Sequence, residues 1–293
     1  MKIKFWGVRG SIPVPGARTV RYGGNTTCIE IRTDTNDLII LDAGTGIYQL
    51  SQSLLGQMPV DANLFITHSH WDHIQGLPFF IPLFIPGNRL KIHGSYDVVS
   101  NRGVEQVMAI QLQYSFFPIR EAELKAGIEY ATLAPGIPVK VGRSLVTPIL
   151  LNHPVVNFGY RIDCEGKSVF FTGDHEPHQN IYSAEDEGAI EYGRIIRERE
   201  AAIHNAIRGV DVVIADSSYT TEEYPHKKGW GHGSYDSSIS LARAAGAKVL
   251  YFTHHEPTRS DEELEAIFAS VQENSPSEGM EYRLAMEGEG IEF

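Results

Sequence analysis

Five short apolar runs in this chain end on an aspartate or a histidine. Asp42 follows LIIL, His68 follows LFIT, Asp174 follows VFFTG, Asp216 follows VVIA and His254 follows LYFT. Such runs read as strands too apolar to face water on either side, so the sheets they form must be covered by helices. Polar groups placed where several such strands run out converge on one rim of a sheet, a common place for a site. This one feature sets both the class, α/β, and the place to look for chemistry.

Strands are predicted at Lys2–Trp6, Thr27–Arg32, Leu38–Leu41, Asn63–Thr67, Ser144–Leu151, Gly159–Asp163, Ser168–Phe171, Asp211–Ile214 and Lys248–Thr253. Helices are clearest toward the C-terminus. Glu191–Arg208 puts Ile195, Ile196, Ile203, Ala206 and Ile207 on one stripe, and Ser234–Ala245 starts at a Ser and stops before Gly246. Ser260-Asp261-Glu262-Glu263 is a capping box ahead of Leu264, Ile267, Phe268 and Val271. No repeat, low-complexity tract or linker interrupts the chain, so residues 1–293 are expected to form a single domain.

The N-terminal MKIKFWGVRG is broken by Gly7, Arg9 and Gly10 and forms no signal-peptide core. The most apolar run, Leu77–Pro86, has 10 residues and three prolines, against about 20 needed to cross a bilayer. No membrane partner is expected. Cys28 and Cys164 lack ligand spacing and read as buried thiols, which makes a reducing cytoplasm the expected location.

The chemistry is concentrated in His68-Ser69-His70-Trp71-Asp72-His73. Three imidazoles and a carboxylate within six residues, directly after a strand, suit metal binding better than packing. In extended backbone, residues i and i+2 point the same way, so His68 and His70 can share one ion. A turn then lets Asp72 and His73 face a second, and the hard carboxylate can complete a shell or handle protons.

The pattern His68-x-His70-x-Asp72-His73 resembles the metal-binding signature of the metallo-β-lactamase fold superfamily. The further ligands of that superfamily have counterparts in order: His153 in LNHPVVNFGYRI, Asp174 in FFTGDHE and His254 in YFTHHEP. The resemblance, from Trp6 to about Pro257, implies an αββα four-layer sandwich: two mixed β-sheets flanked by helices, with a dinuclear site at one edge. It implies that His68, His70 and His153 hold one divalent ion, that Asp72, His73 and His254 hold the other, and that Asp174 bridges them. Zinc is the first expectation, with Mn or Fe as alternatives. Two ions about 3.5–4 Å apart can hold a hydroxide between them and stabilise an in-line displacement. His254 is preferred to His255 as the ligand because it follows the strand directly, leaving His255 to support the site or face substrate. Asp42 is expected to support the histidines of the metal loop, unless it is an ordinary strand-end turn. His175 reads as an exposed loop residue.

VVIADSSY and Gly231-His232-Gly233-Ser234 resemble the elements that supply a carboxylate and a leaving-group histidine in the RNase Z-like phosphodiesterase branch. The resemblance places Asp216 and His232 in those catalytic roles, with Asp72 as a third catalytic candidate. His232 lies outside the seven-ligand set. A turn aspartate and a helix-start histidine are the plainer readings. The implied activity is hydrolysis of a small phosphate diester, cyclic-nucleotide-like substrates included. The alternatives are a thioesterase or lactonase of the same fold, and a metal-bearing binding protein without turnover. Asp174 follows His153 by only 21 positions, which leaves no room there for a tRNA-binding arm, and the net charge is −12. A small-molecule ester is therefore the expected partner, tRNA is not, and a homodimer is left open. Tyr114, Phe116 and Phe117 could line a substrate pocket, pack in the core or form a dimer contact. Gly23-Gly24 could approach the site.

Overall fold

A computed structural model of the chain describes residues 1–99 and 101–293. The first sheet is built from β1 (Lys2–Gly7), β2 (Cys28–Arg32), β3 (Leu38–Leu41), β4 (Asp61–Phe65), β5 (Arg89–Gly94) and β6 (Gly127–Thr132). The second contains β7 (Val139–Val141), β8 (Ser144–Leu151), β9 (Asn157–Cys164), β10 (Lys167–Phe171), β11 (Val212–Asp216), β12 (Val249–Thr253) and β13 (Glu281–Leu284). The last strand, β14 (Gly290–Glu292), returns to pair with β1. The strand orders are β14-β1-β2-β3-β4-β5-β6 and β13-β12-β11-β10-β9-β8-β7. Each sheet is antiparallel on one side and parallel on the other, changing over at β3 and at β10.

Side-chain alternation explains why the central strands are apolar throughout. Ile39 and Leu41 of β3 join Val169 and Phe171 of β10 and Val212 and Ile214 of β11 in the core between the sheets. Their neighbours Leu38 and Ile40 face outward onto α1 (Gly46–Ser53), through Ile47 and Leu50. The short α2 (Trp71–Ile74) and α3 (Val104–Gln111) lie on the same side, through Ile74, Val104 and Met108. Phe170, Val213 and Ala215 face the other way, onto α4 (Ala189–Ile207), α5 (Tyr235–Ala245) and α6 (Asp261–Asn274). The result is the four-layer αββα arrangement expected from the sequence. Ser260 caps α6 by accepting from the Glu263 N–H at 3.2 Å while Glu263 accepts from the Ser260 N–H at 2.6 Å, and Gly246 ends α5 at φ 73°.

Among the described residues fourteen strands form where nine were predicted. Four of the others, β6, β7, β13 and β14, are the sheet edges, half-exposed and carrying Lys or Glu, so no continuous apolar run marks them. The fifth, β5, alternates outward Arg89 and Lys91 with buried Leu90 and Ile92. Along α4 only Ala189, Ile203 and Ile207 are buried; Ile195 and Ile196 stay half-buried. The two cysteines are free and buried, and among the described residues no helix is long and apolar enough to cross a membrane.

Asp42, His68, Asp174, Asp216 and His254 all stand at or just beyond the C-terminal ends of β3, β4, β10, β11 and β12. That is the crevice beside the changeover from antiparallel to parallel pairing, where open α/β sheets bind ligands. Two contacts lock the sheets together beneath it: the Phe158 N–H donates to the Thr67 carbonyl at 3.0 Å, and the Tyr160 hydroxyl donates to the Ile66 carbonyl.

Because Ile31 is fully buried between the sheets, Ile31→Ala should lower unfolding free energy by about 2–5 kcal/mol. Ile190→Ala, at an 83% exposed position on α4, should change it by less than about 0.5 kcal/mol. Urea unfolding of both variants checks this; equal effects would mean that the inter-sheet layer is not the core.

Candidate metal centre

The loop after β4 is extended through His70 and turns helical at Trp71. That single change of backbone sends His68 and His70 one way and Asp72 and His73 another. His68, His70, His153 and Asp174 then form one group able to hold an ion, and Asp72, His73, Asp174 and His254 form a second. Asp174 serves both. Its Oδ2 lies 3.5 Å from His68 Nε2 and 3.8 Å from His153 Nε2, while its Oδ1 lies 3.1 Å from His73 Nε2 and 3.2 Å from His254 Nε2.

The other nitrogen of four of these histidines is already engaged. His73 Nδ1 donates to Asp42 at 2.7 Å and His153 Nδ1 to the Gly231 carbonyl at 2.8 Å. Thr67 Oγ1 and Ser218 Oγ, which donate their own protons to Asp42 and Asp216, can accept from His68 Nδ1 at 3.1 Å and His254 Nδ1 at 3.0 Å. Each ring is thus held with its Nε2 atom turned toward Asp174, as metal ligation requires. Asp42 is buried at φ 62°, a strained conformation for a non-glycine residue, and accepts from the Thr67 N–H at 2.7 Å as well as from His73.

The fit to cations is visible in what is left unsatisfied. The buried Nε2 atoms of His68 and His73 and the Oδ1 of Asp174 have no hydrogen-bond partner, a costly arrangement unless an ion takes the place of the missing bonds. Burial holds His68 well below its ordinary pKa and His153 down at about 4, so both rings present a free lone pair. Burial alone would raise Asp174, yet His254, His73, His232 and His68 around it hold the carboxyl well below the usual range. The residues present therefore suit two divalent cations, and nothing in the donor set selects zinc over manganese or iron.

Asp216 ends β11 and takes His232 Nδ1 at 3.0 Å. It also accepts from the Ser218 hydroxyl at 2.7 Å and the His175 N–H at 3.2 Å. His232 Nε2 has no partner among the described residues. Burial opposes the charged form, but Asp216 and Asp174 outweigh it and raise His232 to about 9. The ring is not remote from the proposed ligands: Nδ1 is 3.6 Å from Asp174 Oδ2 and the ring stacks on His254 at 4.8 Å. Asp174, Asp216, His232 and His254 are consequently a third group close enough to hold an ion.

Several expectations need correction. His255 does not face substrate; it is buried, its Nε2 bonds the Ala285 carbonyl at 2.9 Å, and burial lowers its pKa to about 3. His175 is not an exposed loop residue but 93% buried behind Asp216, since its main chain is pinned there. Gly24 packs against Val14 and Pro15. The N-terminal approach is made instead by Gly10 and Ser11: a Cβ on Gly10 would sit 2.2 Å from the His254 ring, and the Ser11 N–H donates to Asp72 Oδ2 at 2.7 Å. Tyr114 and Phe116 are exposed rather than in the core, while Phe117 meets Phe79 edge-on at 5.4 Å. Glu176, unremarked in the sequence, is buried and accepts from the N–H groups of Gly229 and Gly231, each at 2.8 Å.

Residues 38–255 match the family described as the beta-lactamase superfamily domain. A ribonuclease Z of Thermoplasma volcanium is 26% identical over 319 residues, covering 97% of each chain. Among solved structures, the metallo-beta-lactamase fold protein YhfI from Bacillus subtilis superposes with a TM-score of 0.69 at 18% identity, over 100% of this chain and 98% of that one. Human tRNase Z, short form, superposes with a TM-score of 0.64 at 18% identity, over 100% and 99%. The expectation against tRNA as a partner is overturned by these relatives. Net charge is a sum over the whole surface, whereas binding is local within a screening length of about 8–10 Å. Lys227 and Lys228 lie within four or five residues of His232. The short His153–Asp174 spacing does not exclude an RNA partner either.

Two ions should bind per chain. His68→Ala should mainly weaken one site, and Asp174→Ala both, because its oxygens face both groups. Metal analysis after gentle purification, with and without added metal, checks this. A stoichiometry of one that added metal does not change would contradict the two-ion arrangement.

Proposed function

The chain belongs to the beta-lactamase superfamily, and on that premise we propose that it is a two-metal phosphodiesterase acting on nucleotide diesters, RNA included. The observation that carries this reading is the Asp216–His232 pair beside Asp174, with His232 Nδ1 3.0 Å from Asp216 Oδ2 and 3.6 Å from Asp174 Oδ2. His68, His70 and His153 would hold one ion, Asp72, His73 and His254 the other, and Asp174 both. When bound, the ions supply Lewis acidity toward a phosphoryl oxygen and lower the pKa of the attacking water.

The remaining work falls to the protein. Asp42 and Thr67 orient His73 and His68, Ser218 orients His254, and the Ser11 N–H fixes Asp72. Against the burial that opposes it, Asp216 and Asp174 favour the imidazolium form of His232, in which Nδ1–H stays bonded to Asp216 while the Nε2 proton can pass to an alkoxide leaving phosphorus, returning the ring to neutral imidazole. A thiolate departs readily without that proton, so a thioesterase would have little use for the pair.

His232→Ala should keep full metal content and lose about 10²–10⁴-fold in rate on alkyl diesters. It should lose far less on nitrophenyl diesters, whose leaving group needs little protonation. Asp216→Asn should follow the same pattern more weakly. Metal analysis and paired rate measurements check this. If His232→Ala loses metal, His232 is a ligand of the third group. If both ester types slow equally, it is not the acid.

A further inference from the structure

The segment from Thr220 to Gly231 links Asp216 to His232 and carries the lysines nearest the centre in sequence. It is built as a fixed wall. Buried Glu176 accepts from the Gly229 and Gly231 N–H groups and from the Tyr224 hydroxyl at 3.0 Å. Gly231 has φ 89°, and a Cβ there would lie 2.5 Å from His153 Nδ1, so only glycine lets the segment close on that ring.

This wall presents an aromatic face and a cation together. Trp230, directly before Gly231, is 59% exposed. The Lys227 ammonium sits 4.1 Å from the centre of its ring and 5.7 Å from that of Tyr219. Tyr219 in turn meets His232 edge-on at 6.1 Å. Neither Lys227 nor Lys228 is in an ion pair among the described residues. A cation beside an indole offers what an unpaired nucleotide needs: a π-face for the base and a charge for its phosphate.

We propose that Lys227 and Trp230, backed by the buried Tyr219, form a subsite for the nucleotide on the leaving-group side of the scissile diester. The base stacks on Trp230 and the adjoining phosphate meets Lys227. The side follows from the chain: the same segment delivers His232, the group assigned to the leaving oxygen. The inference rests on the phosphodiesterase reading and narrows its substrate to a diester within an unpaired nucleic-acid strand.

The test is binding of a labelled, cleavage-resistant phosphorothioate tetranucleotide to the metal-loaded protein, read by fluorescence anisotropy over a range of salt. Trp230→Ala should weaken binding on the order of tenfold, as loss of one base stack does, and Trp230→Phe should restore most of it. Lys227→Ala should also weaken binding and flatten the salt dependence by about 0.7 in log–log slope, the share of one phosphate contact on a single strand. Trp230→Ala should leave that slope unchanged. No binding by the unaltered protein, equal affinity with and without the indole, or an unaltered slope in Lys227→Ala would overturn the subsite. The two readings fail separately. The expected binding pattern without turnover of bis-p-nitrophenyl phosphate would remove the catalytic reading and the leaving-group assignment with it, and leave a strand-binding site. Turnover without the pattern would do the reverse.

Discussion

The centre depends on a carboxylate that should not be comfortable where it is. Asp174 is 1% exposed at the seam between two sheets, and burying an ionised carboxylate costs several kcal/mol unless opposite charge and hydrogen bonds meet it. Its two oxygens face two different histidine groups, and Asn157 Nδ2 donates to its main-chain carbonyl at 2.6 Å. Two cations would supply the compensating charge. Without them, adjacent imidazoles and carboxylates satisfy one another only partly, as the unpartnered atoms of His68, His73 and Asp174 indicate.

The surrounding fold serves that burial. The sheets change from antiparallel to parallel pairing at β3 and β10, which opens the crevice where Asp42 and Asp174 emerge. The strain of Asp42 at φ 62° and of His254 at φ 58° sits at this rim, where the packed sheets beneath can hold it. The stretch Asp174-His175-Glu176 joins the parts. Its first residue faces both ion groups, the second donates its main-chain N–H to Asp216, and the third anchors the segment that delivers His232. A displacement of this stretch would disturb the ion groups and the Asp216–His232 pair together.

The elements legible in the sequence were those whose signal is local. His68 to His73 could be read because the donors lie within six residues, and the apolar strands because alternation buried both their faces. The Ser260 capping box was readable for the same reason. The edge strands were not, since an edge needs only half an apolar pattern. Nor was the approach of Ser11 to Asp72, a contact across 61 residues, or the burial of His175, which depends on where Asp216 lies after folding. Glu176 gave no signal because its partners, the Gly229 and Gly231 N–H groups and the Tyr224 hydroxyl, lie about 50 residues away and meet it only in the fold. The positive φ at Ser11, 62°, belongs to the same class of feature, visible only in the folded backbone.

The central claim is that two cations share Asp174. Anomalous diffraction from crystals of the metal-loaded protein tests it most directly. Two peaks per chain are expected, one within ligand distance of His68, His70 and His153, the other of Asp72, His73 and His254, and both in contact with Asp174. A single peak, or one coordinated by Asp216 and His232, would contradict it.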